Sequence, residues 1–184
     1  MKIYSMTRIM GLVVLSVLCF AHVSYAKSAA EIDGNVDRAL ELFQTKVPGA
    51  KDLLSKAKGV LVLPRVFKAG FGIGGEYGVG ALRINGKTVE YYNIMGGSFG
   101  FQLGGQMRNV YLLFMKDDVL KAFRSSDGWK AGVDGSIALV AIGADGSIDT
   151  TKTDQPIMGF VLGQKGLMYN LTLEGSKFNK IQPS

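Results

Sequence analysis

Few side chains in this sequence could carry out catalysis. Its only cysteine, Cys19, and its only histidine, His22, lie close to the amino terminus. The residues Gly96–Gly100 match Gly-x-Ser-x-Gly, a string typical of a hydrolase nucleophile on a strand-to-helix turn, served by a histidine base. Here the residues after Ser98 favour a strand, so the string indicates a glycine-bent strand; a Ser–Lys pair is the remaining catalytic alternative.

Two other patterns resemble ligand sites. Gly70, Gly72 and Gly75 match Gly-x-Gly-x-x-Gly, but a dinucleotide site needs a helix directly after the glycines. Three aspartates do not have the spacing of an EF-hand loop: Asp145, Asp149 and Asp154. The chain after residue 26 has no thiolate or imidazole for a zinc or copper site. We therefore predict a protein that is not an enzyme, with no catalytic or metal-binding residues and no cofactor.

The first 26 residues are typical of a cleavable secretory signal peptide. Lys2 and Arg8 form a positive region, residues 9–21 are largely apolar, and Ser24-Tyr25-Ala26 offers a cleavage site. The apolar stretch is shorter than the roughly 20 residues of a transmembrane helix. We predict cleavage after Ala26, a periplasmic or cell-envelope location, and one mature domain over residues 27–184; retention as an anchor is the alternative.

The elements that must position the remaining side chains are two helices followed by strands. An amphipathic stripe predicts a helix over Ala29–Lys46, and Pro48 can open a second helix over Gly49–Lys58. A short helix with an acidic cap is expected at 116–124. Strands are expected at 59–64 (closed by Pro64), 71–84, 87–94, 98–103, 109–115, 132–142, 148–151, 157–162 and 167–173, with a hairpin turn at Asn85-Gly86.

This order predicts an α+β fold, with N-terminal helices followed by a curved, glycine-rich antiparallel β-sheet or barrel-like sandwich. The chain has 25 glycines, and four of them alternate along one face of the strand at 71–84: Gly72, Gly74, Gly78 and Gly80. Glycine at this density in a strand indicates close approach of another group. We expect a backbone, a helix or a lipid chain to lie against this face.

Positive charge is concentrated between Lys46 and Lys68, where six bases accompany one acid, Asp52. The formal net charge of +6 falls by two without Lys2 and Arg8, which is too small to indicate nucleic-acid binding. Bases beside exposed apolar residues, here Leu53, Leu54 and Phe67, suit an anionic membrane surface. An ordinary solvated face is the alternative.

Gly59-Val-Leu-Val-Leu-Pro64 and the glycine run from Lys68 to Gly80 resemble the SYLF domain. This is the lipid-binding domain of a yeast actin-patch protein, with animal, plant and bacterial relatives. The similarity continues through 97–104, 132–138 and 165–175. It implies non-enzymatic binding of acidic phospholipids through basic residues and an amphipathic N-terminal helix.

Carried onto this sequence, the resemblance indicates these lipid-binding residues: Lys51, Lys56, Lys58, Arg65, Phe67 and Lys68. The signal peptide favours an exported bacterial member whose partner is the anionic phospholipid surface of the envelope, phosphatidylglycerol or cardiolipin, with no nucleic acid and an unknown protein partner. An envelope scaffolding protein that binds a protein through the same fold is the alternative.

Overall fold

One long hairpin, folded back on itself, dominates the architecture. A computed structural model describes residues 27–140, 155–163, 166–167 and 173–184. The described elements, in chain order, are α1 (Ala29–Lys46), α2 (Ala50–Lys56), β1 (Gly59–Ile84), β2 (Lys87–Phe114), α3 (Asp117–Ser125), β3 (Trp129–Lys130), β4 (Ala138–Leu139), β5 (Ile157–Gly163), β6 (Gly166–Leu167) and β7 (Lys177–Ile181). This confirms the predicted α+β fold.

Helices α1 and α2 form where the sequence predicts them. The Ser28 hydroxyl caps α1 by accepting the Glu31 N–H at 3.2 Å. The predicted stripe is buried at Ile32, Val36, Phe43 and Val47 and half-buried at Leu40. Gly49 joins the helices with a φ of 69°, a left-handed conformation that suits glycine. No helix in the described part of the chain is long and apolar enough to cross a bilayer.

Strands β1 and β2 pair antiparallel from Gly59–Phe114 at one end to Ile84–Lys87 at the predicted Asn85-Gly86 turn. Five strands were expected over this region, and they merge into these two. Pro64 does not end a strand, because the register shifts between Leu63 and Val66, and a bulge tolerates a residue without an N–H. The next residue, Arg65, has a φ of 55° and donates its N–H to Asn109 Oδ1 at 2.9 Å.

The hairpin folds back so that two arms of β1 touch. A Cβ atom on Gly80 would overlap the carbonyl oxygen of Val62 and lie 2.8 Å from Leu63 Cα, and one on Gly78 would lie 2.7 Å from Val66 Cγ2. The predicted close approach of a backbone is confirmed at these two glycines. The first arm is residues 59–66 and the second is residues 78–84. We call residues 67–77 of β1 and 95–107 of β2 together the bend.

The two arms lie in different parts of one sheet, and different strands extend each part. Beside the first arm, β2 pairs with β5, which pairs with β4 and β6; beside the second arm, β2 pairs with β7, which pairs with β3. The pairing of β4 with β5 is parallel. The sheet of the described residues is therefore mixed: it has the expected antiparallel pairing everywhere except between β4 and β5.

Two apolar cores hold these layers. The inner core lies between the arms and includes Leu61, Leu63, Leu82 and Leu112, together with Phe123 of α3. The outer core packs α1 and α2 on the other face of the first arm, through residues such as Val60, Val62, Tyr111 and Phe160. Alternate residues of one strand thus enter different cores, which explains why 59–64 has no polar face.

The later elements depart from expectation. Within 132–140 the only regular strand is the two-residue β4, because residues 132–134 form a turn. The N-cap of α3 is Lys116, without a side-chain hydrogen bond, so the predicted acidic cap is wrong. Asp117 and Asp118 occupy the first turn instead, where the helix dipole favours them. Strand β7 was not predicted, and the strand expected at 148–151 lies outside the described residues.

Replacing Gly80 with alanine should destabilise the domain by about 1–3 kcal/mol or more, because its Cβ would meet the rigid backbone of Val62 and Leu63. Gly34→Ala in α1 is the matched control: no atom lies within 4 Å of its added Cβ, and alanine favours the helix by about 0.5–1 kcal/mol. Urea unfolding measures both variants. Equal stability of Gly80→Ala and wild type would contradict the contact between the arms.

Candidate functional site

Exposed apolar side chains flank the bend. Phe67 is 49 % exposed where the first arm enters the bend, and Tyr77 and Met95 are 53 % and 51 % exposed where the second arm leaves it. Tyr77 and Met95 are direct cross-strand partners. Beyond them the pair Gly75 and Gly97 is also exposed and offers no side chain. The flanks of the bend therefore offer apolar surface to a partner.

A buried ion pair closes the base of the bend. Arg108 on β2 lies opposite Val66, the last residue of the first arm, and Glu76 lies two residues before the second arm. Their side chains are 0 % and 6 % exposed, and Arg108 Nη2 donates to Glu76 Oε2. The Ser176 hydroxyl donates to Glu76 Oε1, which ties β7 to the same point. Within the described residues, Arg108 Nε and Nη1 are buried without an acceptor. The pair fixes how the two arms, and hence the exposed residues on them, sit relative to each other.

A row of exposed residues crosses four strands on the outside of the second arm. Tyr77 on β1 lies opposite Met95 on β2, Met95 opposite Lys177 on β7, and Lys177 opposite Lys130 on β3. Directly opposite residues project from the same face of a sheet, and all four are exposed. We call these four residues the outer row; half of it is apolar and half is cationic.

Three of the six predicted binding residues lie at or beside the bend. Phe67 and Lys68 belong to it, and Arg65 lies two residues before it. Phe67 and Arg65 are exposed and Lys68 is half-buried. Lys68 lies two residues beyond Val66 in regular register, so it shares the inner face with Arg108, the partner of Val66. Neither Arg65 nor Lys68 forms an ion pair within the described part of the chain.

The other three predicted residues lie elsewhere. Lys51 and Lys56 are on α2, and Lys58 directly precedes β1, roughly 33 Å along the strand from Lys68 at about 3.3 Å per residue. Lys56 pairs with Asp52 at 2.7 Å, and Lys58 lies 3.8 Å from Asp117. The structure thus separates the predicted residues into a bend group and an α2 group.

The apolar part of the α2 group is not available to a partner. Leu53 is only 8 % exposed and packs in the outer core, while Leu54 is half-buried against the same core. The expectation that Leu53 is exposed is wrong, because the apolar face of α2 packs against the sheet. Of the apolar residues proposed from sequence, Phe67 alone is largely exposed.

Residues 95–182 match the family model Ysc84, described as Las17-binding protein actin regulator. The match begins within the bend on β2 and runs past the end of β7, so it includes Met95, Arg108, Lys130 and Lys177. Over these 88 of its 184 residues the chain is similar to the Ysc84 (SYLF) family. Of the segments that suggested this family from sequence, 97–104, 132–138 and 165–175 fall within the match, whereas 59–64 and 68–80 precede it. No curated protein matches the chain.

A cleft of about 460 Å³ lies beside α3 and has charged residues on its walls, including Lys58, Glu90, Asp117 and Arg124. The carboxylate of Glu90 in this cleft already accepts hydrogen bonds from three side chains. Burial raises the pKa of Glu90, but hydrogen bonds from Arg124, Tyr92 and Lys180 outweigh it and leave the pKa below its ordinary value. Two bonds from Arg124 are 3.0 Å long. Glu90 therefore clamps α3 and β7 to β2.

Sequence reasoning missed several site residues. Arg108 and Glu76 are 32 positions apart, and only the fold-back brings them together. Lys177 lies on a strand that was not predicted, and its pairing with Lys130 depends on β3, which has two residues. In the strand expected at 71–84, Tyr77 alternates with the four glycines of one face and therefore projects from the other face. That alternation is the sequence signal for an exposed aromatic beside the bend.

Replacing Arg108 with methionine should destabilise the domain by about 3–5 kcal/mol, because it leaves the buried Glu76 carboxylate without its cation. The double variant Arg108→Met/Glu76→Gln should recover much of that loss, since neither charge remains. Urea unfolding of wild type, both single variants and the double variant measures the coupling. Additive losses would show that the two side chains act independently and that the arms are held by the cores alone.

Proposed function

We propose that this protein binds the surface of anionic phospholipid membranes and catalyses no reaction. The observation that carries the proposal is the combination of exposed apolar side chains and bases around the bend. Phe67 and Tyr77 lie on opposite sides of the fold-back, so a bilayer that meets the bend end-on contacts both flanks. Arg65 and Lys68 then lie at the level of the headgroups.

The energetics of such a contact have two parts. Each base near an anionic surface is worth roughly 1 kcal/mol, and this attraction weakens with salt because it falls off within a Debye length. Burial of Phe67, Tyr77 and Met95 in the interfacial region adds a part that is resistant to salt. The α2 group has weaker support, because Lys56 and Lys58 already lie beside carboxylates and Leu53 is in the core.

A protein-binding role is the second candidate. The family description, Las17-binding protein actin regulator, names a protein partner for its members. For this chain that corresponds to an envelope scaffolding protein that uses the same fold. A scaffold should be indifferent to lipid charge, so the two candidates differ in a simple measurement.

Two double variants with equal changes of charge test the membrane site. Arg65→Glu/Lys68→Glu removes both bases at the bend, and Lys51→Glu/Lys56→Glu makes the same change on α2. The bend variant should bind phosphatidylglycerol liposomes about thirtyfold more weakly or worse, since it loses roughly 2 kcal/mol of attraction. The α2 variant should lose much less. Co-sedimentation at low and at high salt measures both.

Phosphatidylcholine liposomes and the melting curve of each variant are the controls. Equal losses in both variants would show attraction to net charge without a defined site. If the wild-type protein does not co-sediment with phosphatidylglycerol liposomes, the membrane-binding proposal is wrong and the scaffolding role is favoured.

We also propose that the protein acts in the bacterial periplasm or envelope, after cleavage of residues 1–26. The support is the signal-peptide pattern of the sequence. When the full chain is expressed in a bacterium, amino-terminal sequencing of the periplasmic fraction should find a protein that begins at Lys27. Uncleaved protein that remains in the cytosol would contradict this.

A further inference from the structure

The outer row contains a feature that the fold itself does not require. Lys130 and Lys177 are direct partners on adjacent strands, and both are exposed. Like charges directly opposite each other destabilise a sheet, because the Cβ atoms are only about 4.5–5.5 Å apart. Neither ammonium forms an ion pair with any carboxylate in the described residues. A bound anion would turn this repulsion into attraction.

We propose that Lys130 and Lys177 together bind the headgroup phosphate of an anionic phospholipid. The inference rests on the proposed membrane function and gives it a defined contact. Two ammonium groups that converge on one phosphate form charge-assisted hydrogen bonds with its oxygens, which are stronger than bonds between neutral groups.

The local structure positions one of the two cations. Gly128, in the loop between α3 and β3, has a φ of 105°, and a Cβ atom there would overlap Lys177 Cε and lie 2.9 Å from its Nζ. The absence of a side chain at this position makes room for the lysine stem. The ammonium of Lys177 therefore lies beside this loop.

The two acids nearest to Lys130 in the chain, Asp127 and Asp134, form no ion pair with either lysine. Asp134 Oδ2 accepts the backbone N–H of Lys130 at 2.6 Å, so this carboxylate is directed at the strand. Asp127, beside Gly128, is exposed and forms no ion pair within the described ranges. Both ammonium groups are therefore unpaired by any carboxylate of the described residues.

The rest of the row favours a lipid over a free phosphate. Met95 lies directly beside Lys177, and Tyr77 lies beside Met95. A phospholipid whose phosphate sits on the lysines can lay its glycerol and first methylenes along these two side chains. Free phosphate has no group that could use them.

The test compares Lys130→Gln/Lys177→Gln with Lys87→Gln/Lys121→Gln, a control that removes two other exposed lysines. The probes are monomeric dihexanoyl-phosphatidylglycerol, inorganic phosphate and phosphatidylglycerol vesicles. The row variant should bind the soluble lipid at least tenfold more weakly than wild type, as measured by titration calorimetry. Its melting temperature should equal or exceed that of wild type, because the repulsion is gone. The control should bind normally.

Unchanged binding of the soluble lipid by the row variant would overturn the inference, as would wild-type affinity for inorganic phosphate equal to that for the lipid. Vesicle binding by wild type that survives in the row variant would also overturn it while leaving the proposed function intact. Conversely, a wild-type protein that binds soluble lipid through these lysines but ignores vesicles would support the inference and reject the membrane-surface function.

Discussion

The architecture depends on the contact between the two arms of β1, where Gly80 meets the backbone of Val62 and Leu63. A two-stranded ribbon of this length is not stable alone, because one hairpin cannot bury its own apolar face. Folding the ribbon in half gives each arm a second layer. The inner core fills the space between the layers, and β5 and β7 extend one arm each. Glycine at position 80 is thus a condition for the whole domain.

The fold-back buries a pair of charged side chains, and this pair fixes the geometry of the candidate site. Arg108 and Glu76 are buried where the arms separate, and burying two charges is favourable only if the pairing is good. An apolar pair could close the base of the bend with less desolvation. The charged pair, joined by Ser176, fixes one geometry between the arms and β7. Phe67, Tyr77 and Met95 are carried on those arms, so a fixed base gives the exposed residues fixed relative positions.

Local patterns predicted the local structure well. Helix α1 and the Asn85-Gly86 turn depend on periodicity and turn chemistry, which neighbouring residues determine. Neighbouring residues could not predict that β1 continues through Pro64, because the bulge at Arg65 is stabilised by Asn109 on the partner strand. The basic segment was one patch in sequence and two groups in space, since an extended strand moves Lys68 far from Lys58. Leu53 shows the same limit: amphipathicity identifies an apolar face, but only tertiary packing decides whether that face meets the core or a partner.

The continuous register of the hairpin also bears on how the chain folds. Pairing can start at the Asn85-Gly86 turn and proceed outward along β1 and β2, each new pair closing a loop only slightly longer than the last. The contact of Gly80 with Val62 joins positions within a single strand, so collapse of the ribbon needs no distant segment. Strands β5 and β7 come from much later in the chain and must find edges that exist only once the ribbon has folded. We expect the ribbon to be the kinetic nucleus, with the docking of these two strands as the slower event during refolding.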